Sequence, residues 1–447
     1  MERQIGVAAL FDTLIADFEA RELPVLTSRS KELPELPGKA DVVIGMRRTG
    51  KTWFVFQQIQ KRLAEGVGYD RLLYLNFEDE RLLPLEGGEL HHIPEAFYRR
   101  HPSSRGKRCW FYFDEIQNVA GWETFIRRLL DTENVAIVLT GSSAKLLSSE
   151  IASSLRGRSL TTELLPFSFG EALRHSEIDV PKRWPPGAAQ RSLLASQFDS
   201  YLEVGGFPEV QNVGKDLRLR ILRDYVDVVL LRDVAERHEV ENLTALRYLQ
   251  RRLLAGPGGR FSLHRLYNDL KSQGLRVGKN TLYRYLDHLE DAYLIFTITV
   301  ASPSVRVRQT NPRKCYAVDP SMASVVSFKA SREIGGRLEN AVYLELRRRG
   351  YDLAYFLTSS GLEIDFLAEH PMHPTQLVQV SAEVADAATR KRETRALQQA
   401  MRETEIDRAV LVTLREEGDV ELESGSVRVV PAWRWFLEGP PSLETSA

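Results

Sequence analysis

The sequence predicts an α/β protein whose part from Asp41 to about Leu165 is a mostly parallel sheet covered by helices on both faces. Three observations predict it. Four short apolar runs, ADVVIG, RLLYLNFE, CWFYFDE and VAIVLTGS, alternate with helical stretches, the order expected of a doubly wound sheet. The runs are apolar throughout rather than alternating, as when helices bury both faces of a strand. A glycine-rich turn and a pair of acids stand at the ends of two of these strands, where such sheets place a ligand crevice.

The other elements come in order along the chain. A helix is expected over about Val7–Ala20, then an arm, RELPVLTSRSKELPELPGKA, whose prolines stop it from continuing. A helical region follows the sheet, interrupted at Trp184-Pro185-Pro186-Gly187, and includes RLRILRDYVDVVLLRDVAERHEV. Residues from Asn242 to about Val307 read as helix, helix, turn, helix and two short strands, a winged helix-turn-helix. The tail reads αβββαβ: GRLENAVYLELRRRG, DLAYFLT, LEIDFLAE, QLVQVS, ADAATRKRETRALQQAMRET and DRAVLVTL.

Composition sets bounds. A chain of 447 residues exceeds one ordinary core. Lys+Arg 60 against Asp+Glu 61 gives 60 − 61 = −1, so a nucleic-acid partner has to be met by a local patch. Cys109 and Cys315 stand alone, which excludes a disulfide framework and a zinc finger and fits a reducing cytosol. No run is long enough to span a membrane. A cytoplasmic protein with no membrane partner is expected.

Gly45-Met46-Arg47-Arg48-Thr49-Gly50-Lys51-Thr52 follows the strand DVVI and precedes a helix beginning at Trp53. That context makes it a P-loop. Its glycines let backbone N–H groups turn inward to cradle phosphate, and the helix N-terminus adds its positive end. Gly45, Arg47, Arg48, Thr49, Gly50, Lys51, Thr52 and Trp53 are the candidate nucleotide-binding residues. Lys51 would neutralise the β- and γ-phosphates of ATP and Thr52 would ligate Mg2+. In FYFDE, Asp114 would hold Mg2+ through water and Glu115 would polarise the attacking water. Ser142 or Ser143, after the strand AIVLTG, would orient that water. Arg156 and Arg158 would reach a neighbouring subunit's nucleotide, and Glu78 lines the same crevice.

Taken in order, GMRRTGKT, FYFDEIQNVAGWE, LTGSSAKLLSSEIASSLRGRS, LPFSFGEAL and YLEVGGFPEV resemble the bacterial and archaeal AAA-type ATPases that carry a C-terminal domain of unknown function, of the DUF4143 type. GRLENAVYLEL, EIDFLAE, LVQVS and TRKRETRAL are similar to that tail. The resemblance spans nearly the whole chain. It implies an α/β architecture of P-loop AAA+ core with helical lid, winged helix-turn-helix and C-terminal restriction-endonuclease-like α/β domain, working as a homo-oligomer, with a hexamer among the options. The expected bounds are 1–36 for the N-terminal helix and arm, 37–172 for the core, 173–240 for the lid, 241–320 for the winged helix and 321–447 for the tail.

Lys279, Thr281, Arg284 and Tyr283 would face a DNA major groove, with Asn280 as the helix cap and Leu282 and Leu286 buried. Arg306, Arg308, Arg313 and Lys314 would lie on the wing. In the tail, Glu339 matches a nuclease helix acid and Asp365 the hairpin acid, and Glu363, two residues before Asp365 on the same strand face, is a candidate to help bind the metal. Gln379-Val380-Ser381 occupies the place of Glu-x-Lys, and Lys391 is a candidate for a migrated positive charge. The expected function is an ATPase that binds or remodels DNA, in recombination, repair or branch migration. A nucleotide-switched regulator, of the toxin–antitoxin or transcriptional kind, and an ATP-dependent nuclease with a degenerate site are the alternatives.

Overall fold

A computed structural model describes residues 2–82, 84–141, 155–181, 184–326 and 334–439. It divides into two compact units at Leu165/Pro166. Ser142 and Ser143 lie outside the described residues.

The first unit begins with α1 (Glu2–Ala20), five residues longer at its start than expected, and the arm. Then come β1 (Ala40–Ile44), α2 (Lys51–Ala64), β2 (Leu72–Asn76), α3 (His92–Arg100), β3 (Cys109–Asp114), α4 (Trp122–Thr132), β4 (Val135–Gly141) and β5 (Ser159–Glu163). The strands form one sheet in the order β2-β3-β4-β1-β5, and every pairing is parallel. The four apolar runs became the four strands expected of them. The edge strand β5 was not expected. Its sequence, SLTTE, is polar, because an edge beside β1 is only partly covered.

Alternation along β3 sorts the two faces. Phe111 and Phe113 meet Phe97 of α3 and Phe125 of α4 at ring-centroid distances of 5.1 and 5.8 Å. Trp110 and Tyr112 pack in the other layer with Phe54, Phe56 and Ile59 of α2 and Phe18 of α1. Helix α1 buries Phe11, Leu14, Ile15 and Phe18, the i, i+3, i+4, i+7 stripe of an amphipathic helix. Asp114 therefore emerges on the α2 side of the sheet, at the end where the P-loop lies.

The second unit opens with α5 (Phe169–His175), α6 (Ala188–Val204) and α7 (Lys215–Val228), which runs on as a π-helix over Val229–Glu236. The motifs LPFSFGEAL and GGFPE have structural work here. Ser168 and Glu171 form a capping box at the start of α5. Gly206 N donates to Asp319 Oδ2 at 2.6 Å, and Phe167 N donates to Gly206 O at 2.6 Å. Gly205 has φ 80°, and a Cβ there would lie 1.9 Å from Asp319 Oδ1. Only glycine fits that step.

Next come α8 (Leu243–Leu254), β6 (Arg260–Phe261), α9 (Leu263–Ser272), α10 (Lys279–Asp291), β7 (Ile295–Ile298), α11 (Val305–Thr310) and β8 (Arg313–Ala317). The three strands pair antiparallel in the order β6-β8-β7. After the one-turn α12 (Ala323–Val326) come α13 (Ile334–Arg348), β9 (Asp352–Leu357), β10 (Glu363–His370), β11 (His373–Val380), α14 (Ala387–Thr404), β12 (Arg408–Thr413), β13 (Gly418–Leu422), β14 (Gly425–Pro431) and α15 (Ala432–Leu437). The six strands form a mixed sheet, β13-β14-β12-β11-β10-β9. The αβββαβ order holds as far as β12, and β13 and β14 extend it. Among the described residues no helix is long and apolar enough to cross a membrane.

Candidate active site

The loop between β1 and α2 closes on its own lysine. Lys51 Nζ donates to Gly45 O at 3.1 Å and Met46 O at 3.2 Å, and its side chain is 5% exposed. The turn needs left-handed backbone at Arg48 (φ 68°) and Gly50 (φ 93°). Gly45 lies so close to the chain after β5 that a Cβ there would meet Leu164 O at 2.3 Å. Arg29, from the proline-rich arm, braces the loop by donating from Nη1 to Thr49 O at 2.9 Å. Arg47 pairs with Glu78 across an exposed 3.4 Å. Arg48 is exposed, and Trp53 stands 49% exposed in the first turn of α2.

Lys51, Thr52, Asp114 and Glu115 come together. Thr52 Oγ1 donates to Asp114 Oδ2 at 2.7 Å, and Lys51 Nζ lies 3.8 Å from Glu115 Oε1. A hydroxyl and carboxylates are the hard oxygen donors that suit Mg2+, and the buried ammonium suits a polyphosphate. The residues present fit Mg2+-ATP.

Two further hydroxyls complete the surroundings of Asp114. Tyr74 Oη donates to Asp114 Oδ2 at 3.0 Å, and Thr140 Oγ1 donates to Asp114 Oδ1. Thr140 is fully buried and also accepts Glu115 N at 3.0 Å. Burial pushes the Asp114 carboxyl above the ordinary carboxylate range, against the pull of the Thr140 and Thr52 hydroxyls. Burial also raises the Tyr74 phenol, and the neighbouring Asp114 charge adds to this. Glu115 adopts a left-handed turn (φ 53°) at the strand's end, and the Thr140 bond fixes that turn. Strand order explains the arrangement, because β4 lies between β3 and β1 and carries Thr140 to the rung beside Asp114.

The AAA domain family matches residues 38–173. A protein of Methanocaldococcus jannaschii known only as uncharacterized is 33% identical over 439 residues, 96% of this chain and 95% of its own length. This chain belongs to that protein's family, and its first part is an AAA domain. An uncharacterized Haemophilus influenzae protein is 31% identical over 327 residues, 73% of this chain and 78% of its own. Among solved structures, a Walker-type ATPase of Pyrococcus abyssi aligns at 16% identity over 68% of this chain and 99% of its own, with a TM-score of 0.43. A likeness that distant says nothing of function. A domain of unknown function, DUF8612, matches residues 195–332. It ends before α13, so it is a different segment from the tail beyond it.

In the AAA domain the arginines stand apart from the P-loop. Arg158 O accepts Ala40 N at 2.9 Å, and its guanidinium pairs with Asp131. Ala40 begins β1 and Gly45 follows its end, so about five strand steps of about 3.3 Å separate Arg158 from its own nucleotide loop. Arg156 is exposed in a left-handed turn beside Gly157.

On α10, Leu282 and Leu286 are buried, while Lys279, Asn280, Tyr283 and Arg284 are exposed and Thr281 is half-buried. The helix starts two residues earlier than expected. Gly278 is its N-cap and Asn280 lies inside the first turn, so Asn280 is not the cap. Arg306 and Arg308 lie on the short helix α11 rather than on a β wing. Arg306 is exposed, and Arg308 donates to Ser302 O at 2.5 Å. Lys314 is not a wing residue: it is 1% exposed and faces Glu339, Glu363 and Asp365. Gln379 is buried, accepting Asp365 N at 3.1 Å and donating to Glu393 Oε2 at 2.8 Å. Lys391 is exposed, so the cation among these acids is Lys314 instead.

Thr140 and Tyr74 were not singled out from sequence. Both lie in apolar runs where a polar atom reads as tolerated core. The available signal was position, because Thr140 is the last residue but one of its strand, on the face that carries Asp114 on the neighbouring strand. Replacing Thr140 with Val keeps its shape and removes both bonds. ATP turnover is expected to fall about 10–100-fold, as for outer partners of metal ligands, with nucleotide binding in EDTA unchanged. Thr140→Ser keeps the hydroxyl and should restore turnover; if Thr140→Ser were as slow as Thr140→Val, packing rather than the hydroxyl would be responsible.

Proposed function

We propose that this chain hydrolyses ATP with Mg2+ and uses the cycle to bind or remodel nucleic acid, with DNA as the target. The observation that carries the first half is the convergence of Lys51, Thr52, Asp114 and Glu115 within hydrogen-bond and ion-pair distances. Bound Mg2+ supplies charge neutralisation at the β- and γ-phosphate oxygens. Lys51 turns from the loop carbonyls to the phosphates, and Thr52 and Asp114 hold the metal's place. Glu115 takes a proton from water as that oxygen bonds to the γ-phosphorus, and the bond from phosphorus to the β–γ bridging oxygen breaks, releasing ADP. Arg156, exposed and far from its own P-loop, serves a neighbouring subunit in a homo-oligomer, and this makes turnover depend on assembly.

The DNA half rests on the exposed edge of α10. Lys279 and Arg284 share it with Asn280 and Thr281, and Arg306 adds a cation nearby in sequence order. In a winged-helix reading of residues 241–320, that edge enters the major groove. The chain as a whole is nearly neutral, so binding depends on these few cations.

The test is ATP turnover and equilibrium binding with duplex, single-stranded and branched DNA and with RNA. DNA is expected to raise turnover. Lys279→Ala with Arg284→Ala should remove that rise and lower the slope of log K against log salt by about 0.9 per lost phosphate contact. Turnover indifferent to every nucleic acid, with no salt-dependent binding, would end the DNA half and leave the ATPase half standing.

A further inference from the structure

The second unit holds a cluster of three carboxylates around one buried ammonium. Lys314 Nζ lies 2.6 Å from Glu339 Oε1, 3.0 Å from Glu363 Oε1 and 2.8 Å from Asp365 Oδ1. A lysine has three N–H donors, and three acids meet them. Two of the other oxygens are also engaged: Glu363 Oε2 pairs with Arg260 Nε at 2.9 Å, and Asp365 Oδ2 accepts Val380 N at 2.9 Å. Tyr316 Oη donates to Glu339 Oε1 at 2.9 Å.

Glu339, Glu363 and Asp365 are the acids at which the restriction-endonuclease-like reading of this domain puts a divalent cation. That metal does not fit here. Magnesium requires oxygens at about 2.0–2.1 Å in near-octahedral order, and the centre of this cluster is already filled by a side chain 1% exposed. The fourth nuclease position is Gln379, an uncharged amide that is spent on Asp365 N and Glu393. Ser381 donates to Glu383 O at 3.0 Å and takes no part in the cluster.

We infer that Lys314 is a built-in cation standing where a nuclease metal would be, and that the cluster fastens the three-stranded sheet to the C-terminal sheet instead of cutting a phosphodiester. The inference depends on the nuclease-like reading of the tail and not on the ATPase reading. A second observation points the same way. Arg260 is the cross-strand partner of Lys314 in the β6–β8 pairing, so two adjacent strands of the small sheet each send a cation to Glu363. The charges nearly balance. Three carboxylates against Lys314 and Arg260 leave −3 + 2 = −1. Burial and the Asp365 charge push the Glu339 carboxyl above the ordinary carboxylate range, against the pull of Lys314. Burial lowers the Lys314 ammonium, but the three acids outweigh it and keep its pKa raised.

The test is Mn2+ titration of the nucleotide-free full chain, with DNA cleavage and ATP turnover assayed in parallel. Wild type and Asp365→Asn should bind the same number of Mn2+ ions, and wild type should cut no DNA in Mg2+. Lys314→Ala should gain one Mn2+ site per chain, lost again in Lys314→Ala with Asp365→Asn, and Mn2+ should raise its unfolding temperature. A Mn2+ site in wild type that Asp365→Asn removes, Asp365-dependent cutting by wild type, or no new site in Lys314→Ala would each overturn the inference. If Lys314→Ala does not fold, wild type against Asp365→Asn still decides: equal Mn2+ binding supports the built-in cation and a lost site overturns it. ATP turnover that survives either outcome leaves the P-loop assignment untouched.

Discussion

Glu115→Gln should bind ATP as wild type does and turn it over about 10²–10⁴-fold more slowly, the range by which a positioned general base contributes. The change keeps the length of the side chain and an acceptor oxygen, and removes only the capacity to take a proton. The backbone at this position is held independently of the side chain, because Glu115 N donates to Thr140 Oγ1 at 3.0 Å and the residue keeps its left-handed turn. Asp114, with its own three hydroxyl donors from Thr52, Tyr74 and Thr140, is undisturbed. Metal and phosphate binding therefore stay. Lys51 loses a charge 3.8 Å away, which favours ATP binding slightly if it has any effect. Steady-state phosphate release and equilibrium binding of labelled ATP check both halves. Turnover equal to wild type would remove this carboxylate from the chemistry. A wild type that binds ATP but never releases phosphate would instead favour the nucleotide-switched regulator.

The sequence made this site legible unevenly, for physical reasons. The P-loop and the Asp114-Glu115 pair are local patterns, a turn and a strand end, and need no knowledge of neighbours. The strand order β2-β3-β4-β1-β5 is set by pairings between distant segments, and it alone brings Thr140 to Asp114. Tyr74 reads as a core aromatic, and its ring does pack 5.6 Å from Phe18 and 5.0 Å from Phe56; only its hydroxyl belongs to the site. Strands β5 and β13 escaped because they are edge strands, with polar residues where a buried strand has apolar ones. Lys314 was placed on a wing because the flanking arginines, Arg306, Arg308 and Arg313, read as one basic patch. Alternation held the contrary signal, since Lys314 shares a strand face with the buried Tyr316. The three acids that neutralise Lys314 come from α13 and β10, later in the chain, and no local pattern brings them to it. The arm's Arg29, buried against the P-loop, was hidden in the same way, in a stretch that reads only as a proline-broken linker.

Lys51→Ala carries the largest expected loss of binding. The ammonium is buried, held by two loop carbonyls at 3.1 and 3.2 Å, and no solvent cation can take up that position. In the bound state it makes two charge-assisted contacts, to the β- and γ-phosphates, each of about 1.5–3 kcal/mol. Losing both costs about 3–6 kcal/mol, or about 10²–10⁴-fold in Kd. Lys51→Arg should fare little better, because a planar guanidinium does not replace a compact ammonium inside a turn built around it. Arg47→Ala is the contrasting change. Its pair with Glu78 is long and exposed, 3.4 Å with side chains 32% and 49% accessible, and such pairs contribute at most about 1 kcal/mol. Titration of labelled ATP should therefore rank wild type close to Arg47→Ala, and both far above Lys51→Arg and Lys51→Ala. Removing Lys51 also takes a donor from Gly45 O, while Met46 O keeps the Thr49 hydroxyl at 3.0 Å, so the unfolding temperature of each variant separates a collapsed loop from a lost phosphate contact. Equal affinity in wild type and in a folded Lys51→Ala would put the nucleotide somewhere other than this loop, and the roles of Thr52, Asp114 and Glu115 would go with it.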